Sequence, residues 1–294
     1  MKKAEAFQMI RERVIQLMET EGSNWTKSWI GNGVPTNFLS KKAYRGMNHF
    51  WLAMQGFSSN EWGTFKQWSG KGYKIKKGSK SSFVVFCEVK PKKKEWLEGT
   101  ELETFNATGV LPKYFLWKVY NVFNADQIEG YESTNVVKNP TKELTVEEVM
   151  SIDSFINQTG AKITEHDQPH YRPSTDTIGM PHIKAFFSDV DYYSTLLHEL
   201  THWTGHKTRC DRLKGSMFGS EEYAKEELVA EIGSAFLCQL QGVEKTVRAD
   251  HAQYLNNWIE IISESDNALS SAFSQAQKAV DYLDSLVKEK EEAA

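Results

Sequence analysis

From residue 4 to residue 20 apolar and polar positions alternate with the period of an amphipathic helix, and 47–54 and 62–70 read as two further helices. The pattern then changes. Segments 81–89 and 115–123 are rich in Val, Phe and Tyr at strand length, which predicts a small antiparallel sheet. The lysine-rich 90–94, with Pro91 inside it, reads as a loop or hairpin tip. Residues 133–143 are polar, carry one proline and read as a linker. Beyond them the pattern predicts a helix over 145–157, short strands near Lys162 and Tyr171 and over 185–187, and a helix entered through 192–197. That helix has Asp189 or Asp191 as its N-cap and Gly205 as its end. Between Glu221 and Gln241, Tyr223, Leu228, Val229, Ile232, Ala235, Phe236 and Leu240 recur at helical spacing, and helices over 249–264 and 267–290 close the chain. The class is therefore α+β, with a small N-terminal α+β domain over 1–132 and a mainly helical C-terminal domain with a small sheet over 144–294. Surfaces between domains of one chain are usually modest, so two mutually independent units are expected.

A chain of 294 residues, 40% hydrophobic and 25% charged, is long enough for two cores. No apolar run approaches the roughly 18 residues of a membrane span. The opening Met1-Lys2-Lys3-Ala4-Glu5 has no signal-peptide core behind it, so a cytoplasmic protein with no membrane partner is expected. Cys87, Cys210 and Cys238 are odd in number, far apart and form no C-x-x-C pair, which argues against a disulfide framework and a cysteine zinc site.

The net charge of −4 hides a division along the chain. In residues 1–130, 20 lysines and arginines face 12 acids, a net +8, while beyond them 15 face 27, a net −12. Between Trp62 and Lys94 ten lysines interleave with Trp62, Phe65, Trp68, Tyr73, Phe83 and Phe86, and Glu88 is the lone acid. Lysine neutralises phosphate and an aromatic face stacks on an unpaired base, so this composition favours single-stranded DNA bound without sequence preference. Arg45, Trp62, Lys66, Trp68, Lys74, Lys76, Lys77 and Lys80 are the expected contacts. Seven of the nine tryptophans, Trp25, Trp29, Trp51, Trp62, Trp68, Trp96 and Trp117, fall in this basic half, more than a small domain ordinarily needs for packing.

The acidic half carries different chemistry. Residues His198-Glu199-Leu200-Thr201-His202 are followed, 24 residues on, by Glu226-Glu227-Leu228-Val229-Ala230-Glu231. On a helix two histidines four apart lie on one face and reach one cation, with the intervening glutamate beside a bound water. Catalytic zinc takes three protein ligands and keeps a position open. A third histidine six residues after His202 would complete one known arrangement, but that position is Thr208. His206 follows Gly205 too closely to copy that geometry and reads as a group beside the ligands, on the substrate side, or as a cap. The acidic helix supplies the better choice. Glu227 is expected as the ligand, with Glu226 as its rival, and Glu231 as the carboxylate that orients a ligating histidine through its other ring nitrogen. Zn2+ is the expected ion, with Mn2+ as the alternative. It would bring a water's pKa toward neutrality while Glu199 takes the proton and passes it to a leaving amine, which is amide hydrolysis of an unknown protein or peptide. Tyr171, Tyr193, Tyr223 and His206 are all open as the oxyanion donor.

Over nearly its whole length the chain resembles the ArdC-type antirestriction proteins of conjugative plasmids and the amino-terminal part of some plasmid primases. The likeness rests on Tyr44-Arg45-Gly46-Met47-Asn48, Thr64-Phe65-Lys66-Gln67-Trp68, Lys77-Gly78 and Asp176-Thr177-Ile178-Gly179-Met180-Pro181. It rests more specifically on the 198–206 and 226–231 segments. It implies an N-terminal domain that binds single-stranded DNA, a zincin-like metallopeptidase domain, and protection of incoming DNA from host restriction. Two other classes fit the same residues: a DNA-protecting binding protein whose metal is structural, and a cytosolic metallopeptidase acting on a protein regulator.

Overall fold

The computed structural model describes residues 1–27, 33–133, 143–213, 220–246, 254–265 and 267–293. Helix α1 (Lys3–Glu21) buries Ala6, Ile10, Val14, Leu17 and Met18, one face at helical spacing. Next come β1 (Thr36–Asn37), α2 (Met47–Ala53), β2 (Glu61–Thr64) and α3 (Phe65–Gly70). The helix expected over 62–70 is thus half strand. Thr64 ends the strand and caps α3, its hydroxyl accepting from Gln67 N while the Gln67 side chain returns to the Thr64 N–H. Gly63 is required where it stands, because a Cβ there would lie 2.5 Å from the Phe38 ring and 2.9 Å from Trp68 Nε1.

Strand β3 (Ser82–Pro91) pairs antiparallel over its full length with residues 113–122 of β4 (Lys113–Asn124), and the sheet runs β1-β2-β4-β3. The 90–94 segment is no hairpin tip. Strand β3 continues to Pro91, and the connection to β4 holds a helix, α4 (Gly99–Thr108).

The second half begins with α5 (Val146–Thr159), capped by a Thr145–Glu148 box and ended by Gly160 at φ +77°. The expected linker lies outside the described residues from 134 to 142, as do Trp29 and the start of the helix expected from 249. Strands β5 (Lys162–Glu165), β6 (His170–Arg172) and β7 (Thr177–Met180) form a sheet in the order β5-β7-β6. The strand expected over 185–187 is absent, and Ile183–Ala185 is a 3-10 turn instead. Helix α6 (Asp189–Thr204) starts at Ser188, whose hydroxyl accepts from Asp191 N at 3.1 Å, so the cap precedes both aspartates. They occupy the first turn, where their charge complements the helix dipole. Helix α7 (Glu221–Gln241) matches its expected bounds, and α8 (Leu255–Glu264) and α9 (Ala268–Ala293) follow. No described helix is long and apolar enough to cross a membrane.

The halves are not independent units. Ile10, Trp25, Phe50 and Phe83 of the first share one buried cluster with Leu196, Leu200, Ile232, Phe236 and Phe273 of the second. Polar ties cross the same boundary. His49 stacks on Phe236 with centroids 4.6 Å apart and bonds to Gln239, whose amide donates to Gly33 O at 2.7 Å. Gly46 N donates to Gln277 Oε1 at 2.9 Å, Arg45 pairs with Asp281, and Thr26 Oγ1 donates to Glu231 Oε1 at 3.2 Å. The change of charge near residue 130 is a boundary of composition and not of packing.

Candidate metal centre

Helices α6 and α7 pack side by side, and the contact brings three side chains to one point. His198 and His202, one helical turn apart, hold their Nε2 atoms 3.2 Å from each other. The two oxygens of Glu227 lie 3.5 Å from those nitrogens, one on each. In a tetrahedral site with bonds of about 2.0–2.2 Å, neighbouring ligand atoms stand roughly 3.3–3.6 Å apart. His198, His202 and Glu227 therefore fit a divalent cation, and they are the only such group among the described residues.

Each histidine turns its other ring nitrogen to a carboxylate. His198 Nδ1 faces Glu231 Oε2 at 3.7 Å. Glu231 is gripped in turn by the buried Lys245, with Nζ at 3.2 Å, and by Thr26. His202 Nδ1 faces Glu226 Oε1 at 3.3 Å. Arg212 closes a fork on Glu226, Nε to Oε2 at 3.1 Å and Nη2 to Oε1 at 2.9 Å, and ties itself to Thr204 Oγ1 and Thr201 O. The rivalry between the two glutamates thus has a geometric reading, in which Glu227 faces the metal-side nitrogens and Glu226 the outer one. Burial pushes Glu226 up, but His202 and Arg212 outweigh it and hold it ionised. Burial likewise pulls His202 down, yet Glu227 and Glu226 overcome it and carry its pKa to about 10.

Glu199 is 3% exposed and lines, with the three ligand-type residues, a cavity of about 200 Å³ that also takes in Tyr171 and Tyr223. Tyr223 hydrogen-bonds Glu227, and burial together with that carboxylate raises its pKa, so it stays a protonated donor. Tyr171 gives its proton to Asp176 Oδ1 at 2.8 Å and Tyr193 to Asp153 Oδ1 at 2.8 Å, whereas the carboxylate that Tyr223 meets is that of the ligand-type Glu227, which sets the Tyr223 hydroxyl beside the candidate metal position. Of the roles open to His206, its hydrogen bonds fit the cap and not a place behind a ligand: it stands beyond the end of α6, outside the cavity lining, with Nδ1 2.8 Å from Thr208 Oγ1 and accepting from Thr208 N at 3.3 Å.

The expected DNA contacts divide. Trp62 and Trp68 are 1% and 0% exposed and cannot offer a face to a base. Trp68 stacks on Phe38 at 3.5 Å and donates Nε1 to Phe123 O at 3.1 Å, while Trp62 packs with Leu52, Val84 and Val122. Both are core. Arg45 is engaged with Asp281, and Lys76 Nζ donates to Asp126 O at 2.7 Å. Lys66, Lys74, Lys77 and Lys80 are exposed. The exposed rings lie elsewhere, at Phe65, Phe86, Trp96, Phe115, Trp117 and Tyr120.

Two family models match the chain: the N-terminal domain of anti-restriction factor ArdC over residues 4–123 and the zincin-like metallopeptidase over 150–275. A metal-free crystal structure of the antirestriction ArdC protein from the R388 plasmid is 33% identical, with a TM-score of 0.78 over 96% of this chain and 98% of that one. The chain belongs to the ArdC antirestriction family. A Mn(II)-bound structure of the R388 ArdC protein aligns with a TM-score of 0.77 at 32% identity, over 96% of this chain and 97% of that one. Among other relatives, DNA primase TraC of Escherichia coli is 34% identical over 94% of this chain, which spans 27% of the primase. The y4eC protein of Sinorhizobium fredii is 31% identical over 94% of this chain and 91% of its own length. The ArdC fold thus accounts for both halves, with the zincin-like part carrying the candidate metal centre.

Proposed function

We propose that this ArdC-family protein protects incoming plasmid DNA from restriction in the cytoplasm, binding single-stranded DNA through its basic half and hydrolysing a peptide bond at the 198–231 site. The observation that carries the peptidase reading is the convergence of His198, His202 and Glu227 with Glu199 in one cavity. Zinc is the ion proposed, because two imidazoles and a carboxylate are an established catalytic zinc set, with Mn2+ as the alternative. When bound, the ion supplies Lewis acidity toward a water and a carbonyl oxygen. Glu199 takes the proton of the attacking water and returns it to the leaving amine. Tyr223 donates to the carbonyl oxygen as negative charge grows on it. Glu231 and Glu226 keep both imidazoles turned toward the ion. The DNA reading rests on the surplus of positive charge in residues 1–130 and on the exposed lysines 66, 74, 77 and 80.

Glu199→Gln separates the roles, since it removes the base and leaves every metal ligand. Unmodified plasmid DNA is transferred into a restricting host carrying wild type or variant. Loss of protection with metal content unchanged supports the peptidase reading. Full protection by Glu199→Gln replaces it with a DNA-binding protector whose metal is structural.

A further inference from the structure

The exposed rings of the first half share a pattern that pairing register makes explicit. In an antiparallel ladder directly opposite residues project to the same side, and every second residue of a strand shares that side. Val84 lies opposite Tyr120, Phe86 opposite Lys118, Glu88 opposite Leu116 and Lys90 opposite Tyr114. One side of the ribbon thus carries, in order from the body outward, Tyr120, Phe86 and Lys118, then Glu88 and Leu116, then Lys90 and Tyr114. At its inner end this side is core, with Val122 and Val84 1% and 7% exposed. Further out it opens, and Tyr120 and Phe86 are 42% and 52% exposed with centroids 6.5 Å apart.

Beyond them Trp96, half exposed, meets Tyr114 edge-on at 5.8 Å, with Lys93 Nζ 5.4 Å from the indole. The Thr64–Val122 pairing sets exposed Phe65 and Lys66 at the Tyr120 end. From Tyr120 to Tyr114 the ribbon covers about 20 Å. The other side differs. There Trp117 packs on Phe7 of α1 at 5.5 Å, under Lys3 Nζ at 4.3 Å, so its largest ring is already partnered.

We propose that the Tyr120–Phe86–Tyr114–Trp96 side of the β3–β4 ribbon is the base-stacking platform for single-stranded DNA, with Lys66, Lys90, Lys93 and Lys118 along the phosphates. This rests on the DNA reading of the first half given above. It assigns the stacking role to rings other than Trp62 and Trp68. Tyr120 and Phe86 are open to solvent, and Trp96 is half exposed beside Lys93, a surface that duplex bases cannot use because they are already stacked on each other. The lysines lie between and beside the rings, with Glu88 shared by Lys90 at 3.1 Å and Lys118 at 3.5 Å and Glu95 3.9 Å from Lys93, so phosphates would find Lys66 first and compete with Glu88 and Glu95 for the other three.

The test uses the full chain and a fluorescein-labelled oligo(dT), read by anisotropy. Phe86→Leu/Tyr120→Leu keeps apolar bulk but removes both rings, and the expected loss is about tenfold or more in affinity, with the salt slope unchanged because no phosphate contact is lost. Val89→Ala/Phe115→Ala, on the other side, should stay within about twofold. A second measurement needs no variant: irradiating wild type with 5-bromouracil-substituted oligonucleotide should crosslink at Phe86, Tyr120 or Trp96. Wild-type binding that the first pair of substitutions leaves intact, or crosslinks confined to Val89, Phe115 or the 71–80 lysine segment, overturns the assignment while leaving DNA binding itself standing. No binding by wild type removes the DNA reading and the platform with it.

Discussion

Replacing Lys245 with methionine tests the least expected part of the site. Lys245 is 1% exposed, and its ammonium stands 3.2 Å from Glu231 Oε2, itself almost fully buried. Deleting one partner of a buried ion pair typically costs about 3–5 kcal/mol, because the remaining charge is left without compensation. Here that charge lies 3.7 Å from His198 Nδ1, so an uncompensated Glu231 would shift or turn away from the place where it orients this ligand-type histidine. Lys245→Met should therefore lower the stability of metal-stripped protein by about 3–5 kcal/mol in urea unfolding. It should also weaken metal binding about 10–100-fold in chelator competition, the range seen when partners behind a ligand are lost. The two effects can be pulled apart. Lys245→Met/Glu231→Leu removes both charges and should recover most of the stability, since buried pairs often tolerate apolar replacement. It should not recover metal affinity, because nothing then orients His198. A single variant within 1 kcal/mol of wild type, or a double variant as unstable as the single, would refute this account of the pair.

Three further outcomes are expected. His198→Ala, His202→Ala and Glu227→Ala should each purify without metal while Glu199→Gln and Glu226→Gln retain it, by elemental analysis; normal metal in Glu227→Ala together with loss in Glu226→Gln would reverse the two glutamates. With its pKa near 10 in the metal-free site, His202 binds a proton at neutral pH that the cation must displace, so apparent metal affinity should rise about tenfold per pH unit between pH 7 and 9. Calorimetry in buffers of different ionisation enthalpy counts that proton, and none released would contradict the assignment. Burial lowers the His49 pKa to about 4, outweighing its bond to Gln239. Its contribution to stability is therefore whole above about pH 6.5 and lost as the pH falls toward 4, about 3 kcal/mol in all, and urea unfolding of His49→Leu should show that much less acid sensitivity.

The candidate triplet was partly legible because it is helical arithmetic. Residues four apart share a face, which aligns His198 with His202, but the 221–241 apolar pattern brings Glu226 and Glu227 alike to the buried side of α7 and does not choose between them. Arg212, Lys245 and Thr26 carry no such signal. They lie in loops or at a helix edge, and Thr26 is 205 positions from the Glu231 it touches. The tryptophans misled because an aromatic count does not distinguish a ring facing solvent from one facing Phe38. Strand β7 escaped notice because Gly179 interrupts its apolar run, yet a Cβ there would lie 2.4 Å from the His170 ring. Charge marked the two halves, but no periodicity in α1 says that its buried face completes the core beneath the second half.

The Thr26 hydroxyl has a further meaning. It belongs to the basic half, and it donates to the carboxylate that steers a ligand-type histidine in the acidic half. Binding equilibria joined through a common group obey reciprocity. If occupancy of the first half moves Thr26 enough to change metal affinity by some factor, the metal must change affinity in the first half by the same factor. Filling and stripping the cation while titrating oligonucleotide measures that factor directly, and a value of one would mean that the shared core holds Thr26 too firmly for either site to sense the other.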